Sequence, residues 1–120
     1  MNSSRPNAAM APDQLTAILA ERVMLWGVAP GRFLLGARRW LPRWRFQPLV
    51  SLEDAFRLLD KIATDYTLTA TADNTFTAVV YVADRIGSAS GKSKATTITV
   101  VIARAIGLDV PDGASEAWDG

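Results

Sequence analysis

Apolar residues recur at helical spacing in three stretches of the chain and alternate as in strands between the second and the third. From Asp13, which follows Pro12 and is expected to cap the element, Leu15, Ile18, Leu19, Val23 and Trp26 fall on one face of a helix ending near Gly27. Ser51 opens a second helix, with Asp54 at the third position of a shortened capping box and Leu52, Ala55, Phe56, Leu59, Ile62 and Ala63 repeating behind it. The connection VAPGRFLLGARRWLPRWRFQPLV contains prolines at 30, 42 and 48 and glycines at 31 and 36, so no single regular element fits it. Short extended pieces are expected there at 33–37 and 44–46.

Residues 66–71 set Tyr66, Leu68 and Ala70 against three threonines, and 75–83 is β-branched and aromatic. Joined across Ala72-Asp73-Asn74, the two predict an antiparallel hairpin, because so short a link cannot make a parallel crossover. The last stretch, TTITVVI, alternates like a strand. Yet Ile98, Val101, Ile102, Ala105 and Ile106 match the helical template through to Gly107, a natural stop, and helix is the reading adopted. The expected fold is α+β: three helices packed on a small antiparallel sheet in an α/β/α sandwich-like arrangement. The domain should run over 13–110, between a loose polar arm at 1–12 and an acidic flexible tail at 111–120.

Composition narrows the chemistry. A chain of 120 residues with 49% hydrophobic and 21% charged content is an ordinary single globular domain. It has neither cysteine nor histidine, which excludes disulfides, thiolate chemistry, a Ser-His-Asp triad and a histidine-built metal site. No cofactor or metal is expected, and no stretch is apolar enough to span a bilayer or serve as a signal core. A cytoplasmic setting follows as the expectation. The formal charge of +1 is too small for a general polyanion binder, but it is unevenly spread. Arg32, Arg38, Arg39, Arg43 and Arg45 lie between Gly31 and Phe46 with no acid among them, whereas Asp109, Asp112, Glu116 and Asp119 follow Leu108 with no base.

Two segments are candidate sites. GSASGKSK, residues 87–94, is reminiscent of a phosphate-cradling loop, which requires four residues between its first glycine and the Gly-Lys pair. Only Ser88, Ala89 and Ser90 stand between Gly87 and Gly91, one too few. The plainer expectation is a flexible turn whose Ser93 caps the final helix. Lys92, Ser93 and Lys94 at a helix N-terminus retain a secondary anion contact as an alternative.

The second is ARRWLPRWRF, where Arg38, Arg39, Arg43 and Arg45 interleave with Trp40 and Trp44. Guanidinium groups fit phosphate through paired donors and indoles offer faces on which bases stack, which is the equipment of a nucleotide or nucleic-acid site. The competing reading has Trp40, Trp44 and Phe46 filling the core while the arginines reach outward or stack on those rings. The carboxylates form no pair: Glu53 and Asp54 suit the first turn of a helix, and Asp73 suits a turn.

LTAILAERVMLWGV, FQPLVSLEDAFRLLDKI and TTITVVIARAIGL, taken in this order around a hairpin, resemble the phage ABA sandwich domain family over residues 15–108. The family tends to carry glycine where this chain has Leu25. The resemblance implies an α/β/α layered fold, a phage or prophage context within a bacterial host cell, and no enzymatic activity. With the residues above, it leads to the expectation of a non-catalytic accessory protein that binds an anionic nucleotide or nucleic acid; sequestration of a host nucleotide signal would fit. The rival expectation is a structural protein whose Arg/Trp segment forms a homo-oligomer or host-protein interface.

Overall fold

The computed structural model describes residues 11–108 and residue 110. The proposed tail at 111–120, and the proposed arm as far as residue 10, lie outside them. The first helix, α1 (Pro12–Arg22), begins ahead of the expected cap. Pro12 occupies the first turn, where its missing N–H costs nothing, and Gln14 Oε1 accepts the Ala11 N–H at 3.0 Å. Asp13 therefore lies inside the helix and Pro12 belongs to the domain rather than to an arm.

The helix also stops at Arg22, well before Trp26. Leu25 takes φ of 61°, the left-handed region that glycine favours, and this turn lets the Trp26 N–H reach back to the Ala20 carbonyl at 3.0 Å. Trp26 still turns inward, because its ring packs against Phe33 and Phe46 at centroid distances of 5.8 and 5.0 Å.

A three-stranded antiparallel sheet follows in chain order: β1 (Gly27–Ala29), β2 (Arg32–Gly36) and β3 (Arg39–Pro42). The extended piece expected at 33–37 is β2, shifted by one residue. The piece expected at 44–46 is not a strand. Pro42 ends the ladder, and Arg43–Arg45 form a 3-10 turn held by Arg43 N–H on the Gly31 carbonyl at 3.0 Å. As a strand, 44 and 46 would have shared a face; the turn instead buries Phe46 completely and leaves Trp44 68% exposed.

Helix α2 (Leu52–Ile62) is capped by Ser51, whose Oγ accepts the Asp54 N–H at 3.3 Å. The reciprocal half of the expected box is rewired. The Ser51 N–H bonds the Gln47 carbonyl, and the buried Asp54 carboxylate takes the Gln47 N–H at 2.9 Å, tying the 47–50 turn to the helix start.

The predicted hairpin is β4 (Asp65–Ala70) with β5 (Phe76–Val82), paired antiparallel in unbroken register. It gains a third strand, β6 (Arg85–Gly91), in part of the stretch expected to be a flexible turn. The glycines and serines that lower strand propensity serve packing here. A Cβ at Gly87 would lie 2.8 Å from both the Val101 carbonyl oxygen and the Ala105 nitrogen, so only glycine lets β6 meet the final helix. That helix, α3 (Lys94–Ala105), confirms the helical reading of TTITVVI; Ser93 Oγ caps it by accepting the Thr96 N–H at 3.2 Å.

Helix α3 is buried nearly all round because it lies between α2 and the second sheet. Phe76, Ala78, Val80 and Ala89 line the covered face of that sheet, and Thr67, Val79, Tyr81 and Ser88 on the opposite face remain exposed or half exposed. The fold is thus α+β as expected, a single domain with three helices among the described residues, but with two antiparallel sheets of three strands there instead of one. No helix among the described residues is long and apolar enough to cross a membrane.

Candidate anionic-ligand site

Strand register decides where the Arg/Trp segment points. Arg32 pairs with Pro42 and Leu34 with Trp40, which puts Arg32 and Trp40 on one face, while Phe33, paired with Leu41, enters the core from the other. On the outer face the Arg32 guanidinium stacks 3.7 Å from the Trp40 ring centroid. Arg38, in the turn before β3, and Arg39, its first residue, are exposed. The half-buried Arg43 places its guanidinium 4.9 Å from the Phe33 ring and donates from Nη2 to the Asp13 carbonyl at 3.5 Å. Arg45 lies 5.6 Å from the Trp44 ring.

The structure divides the two readings of the segment. Phe46 is core. Trp40 and Trp44, at 46% and 68% exposure, are not. Arginine stacking on aromatic rings occurs as the structural reading expected, yet none of the five arginines forms an ion pair with a carboxylate among the described residues; the pair present there is Arg57 with Asp54 at 3.9 Å.

Trp44 stands as a wall between two clefts. One, of about 360 Å3, is lined by Trp44, Arg45, Gln47, Val50, Arg57 and the acids Glu53 and Asp54 at the start of α2. The other, of about 390 Å3, is lined by Trp44, Arg43, Phe46, Gln47, Gly31, Thr16 and Asp13. Of the sequence candidates, Arg43, Trp44 and Arg45 come together here. Arg38, Arg39 and Trp40 line neither cleft, and neither do Lys92, Ser93 and Lys94. Ser93 is engaged as a helix cap, Lys94 sits 6.0 Å from the Phe76 ring, and Gly87 to Gly91 are strand, so the phosphate-loop geometry is absent.

Arg57, Glu53, Gln47 and Asp13 join the clefts, although the sequence pointed to none of them as a site residue. Glu53 and Arg57, four apart on one helix, were legible as a pair on one face, but their approach to Trp44 depends on the tie between Asp54 and Gln47. The resolved pKa shift lies elsewhere: hydrogen bonds from the Thr71 hydroxyl and then the Thr75 N–H hold the fully exposed Asp73 carboxyl below its ordinary value.

The α+β fold has a precedent. A phage protein from Bacillus cereus ATCC 14579, known from its crystal structure, matches with a TM-score of 0.71 over 92% of this chain and 100% of its own, at 14% sequence identity. No family model and no curated protein matches the chain. The likeness is one of fold.

Proposed function

We propose that this chain is a non-catalytic phage or prophage accessory protein, working in the bacterial host cytoplasm, that binds a nucleotide at the Trp44 clefts. The fold it shares with a phage protein supports that setting and the resemblance to the phage ABA sandwich family. The observation that carries the ligand class is Trp44 itself, largely exposed between two clefts and flanked by Arg43 and Arg45. An indole face stacks a base, and cations free of carboxylate partners accept phosphate. The acids Glu53, Asp54 and Asp13 in the same clefts oppose a bare polyanion but suit a ligand that also presents N–H donors, as a nucleobase does. A nucleotide therefore fits better than inorganic phosphate or duplex nucleic acid. Sequestration of a host nucleotide signal is one use for such a site.

Calorimetric titration with mononucleotides at low and high salt tests this. Stacking on an aromatic contributes about 1–3 kcal/mol per base, so Trp44→Ala should weaken binding about tenfold or more. The double variant Arg43→Ala/Arg45→Ala should flatten the salt dependence. Binding that is unaltered by Trp44→Ala overturns the site.

The rival reading, a homo-oligomer or host-protein interface on the same surface, has its own support. Val50, 73% exposed, lines one cleft with Trp44, and exposed aromatic and aliphatic groups beside arginine are interface chemistry. Such an association would persist at high salt.

A further inference from the structure

We propose that the free edge of β4 is a self-association surface, on which a second copy of this chain pairs antiparallel so that the two hairpin sheets become one continuous sheet. β4 and β6 are the edge strands of the second sheet. Exposed edges are ordinarily guarded by charge, proline, a bulge or a covering segment. β6 is guarded: Arg104 donates to the Ser88 carbonyl and to the Val110 carbonyl, each at 2.9 Å, which ties the chain after α3 beside that edge. β4 is not. Its sequence, DYTLTA, has no proline, its register with β5 has no bulge, and its one charge is Asp65 at the start. Helix α3 lies over β5 and β6, so β4 overhangs, and every β4 residue except Leu68 is exposed.

The backbone groups that a second strand needs point the right way. The Thr71 N–H donates toward β5, to the Thr75 carbonyl at 2.9 Å, so by alternation Ala70, Leu68 and Tyr66 direct their backbone groups outward. Asp65 Oδ1, which accepts the Tyr66 N–H at 2.8 Å from outside the ladder, marks the same direction independently. By that alternation the N–H and C=O groups of Leu68 and Ala70 face away from β5, toward the edge.

The strand is also complementary to itself. Antiparallel pairing centred on Leu68 opposes it to Leu68 of the partner subunit, Tyr66 to Ala70 of the partner subunit, and Thr67 to Thr69 of the partner subunit. Asp65 then meets Thr71 of the partner subunit, so no like charges face each other. Threonine pairs across strands are favourable, and the overhanging Tyr66 and Leu68 gain cover on the α3 side. One strand of 6 residues on each side buries well under the roughly 1,200 Å2 of a standard interface, so the dimer is concentration-dependent rather than obligate.

Sedimentation velocity on the full chain over a concentration series tests the proposal. The unmodified chain should show a reversible monomer–dimer equilibrium. Thr67→Lys/Thr69→Lys, which opposes like charges across the pair, should raise the dissociation constant at least tenfold at unchanged melting temperature. Thr67→Lys/Thr69→Glu, which opposes unlike charges in this register, should restore dimerisation. Arg45→Ala, at the separate Trp44 surface, should leave it unaffected. A monomer across the whole series overturns the proposal, as does a dimer indifferent to both charge variants; sensitivity to Arg45→Ala alone would move the interface to the Arg/Trp face.

Discussion

The two sheets are of equal strand number and opposite construction. The second carries its core residues on strands, with Phe76, Ala78, Val80 and Ala89 under α3, and narrows to glycine where the helix comes closest. The first buries one strand residue fully, Phe33, and relies on the trio it makes with Trp26 and Phe46, with arginines stacked over its rings. A sheet sealed by a helix spends its apolar residues on packing and has few groups to spare. A sheet built round an aromatic trio leaves Trp44 and its neighbouring arginines on the outside.

The sharpest way to break this contrast is Phe33→Ala, which removes the centre of the trio and should cost about 3–5 kcal/mol in denaturant unfolding. Phe33 and Phe46 belong to the same contiguous core as α3 and β5, so both sheets should unfold in one transition. Two separated transitions would show that the sheets are independent units. Next is Gly87→Ala: its Cβ meets backbone atoms that cannot swing aside, and forcing β6 from α3 should cost about 1–3 kcal/mol by the same measurement. A neutral result would mean that the strand and helix are not in close register.

Leu25→Gly has the opposite sign. The residue is 75% exposed and holds a positive φ, so glycine gives up little burial and relieves the backbone, with a gain of about 1 kcal/mol expected in thermal melts. The smallest effect belongs to Asp73. Its folded pKa lies below the ordinary 3.8, so its contribution to stability is present above that value and is lost as pH falls through the lowered folded value. Asp73→Asn should lower the melting temperature slightly at neutral pH, and the difference from the unmodified chain should vanish as the pH falls through that lowered value, as followed by circular dichroism against pH.

What was legible in the sequence follows the same division. Helices α1 and α2 and the β4–β5 hairpin announced themselves because burial of one face imposes a period, α3 was ambiguous because it is buried nearly all round, and Ser51 and Ser93 marked two starts correctly. β6 was hidden because glycine and serine carry no strand signal when their purpose is close approach. Of the first sheet only β2 was legible, one residue out of register; β1 and β3, three and four residues long, are too short to show a period. Of the site, Arg43, Trp44 and Arg45 could be read from adjacency. Arg57 and Glu53 could not, since a hydrogen bond between Asp54 and Gln47 brings their helix to the turn. The left-handed Leu25 was visible as a departure from the glycine in the resembling family, but its backbone meaning required coordinates.

The carbonyls of Pro48 and Leu49, just beyond the Arg/Trp turn, accept buried hydroxyl hydrogen bonds from Thr99 and Thr96 of α3, each at 2.7 Å. These rivets fasten the 48–49 backbone, which runs between the cleft residues Gln47 and Val50, to the most deeply enclosed element of the molecule. A ligand stacked on the Trp44 indole at the proposed site would find the neighbouring turn already fastened, so that less ordering entropy would be lost on binding.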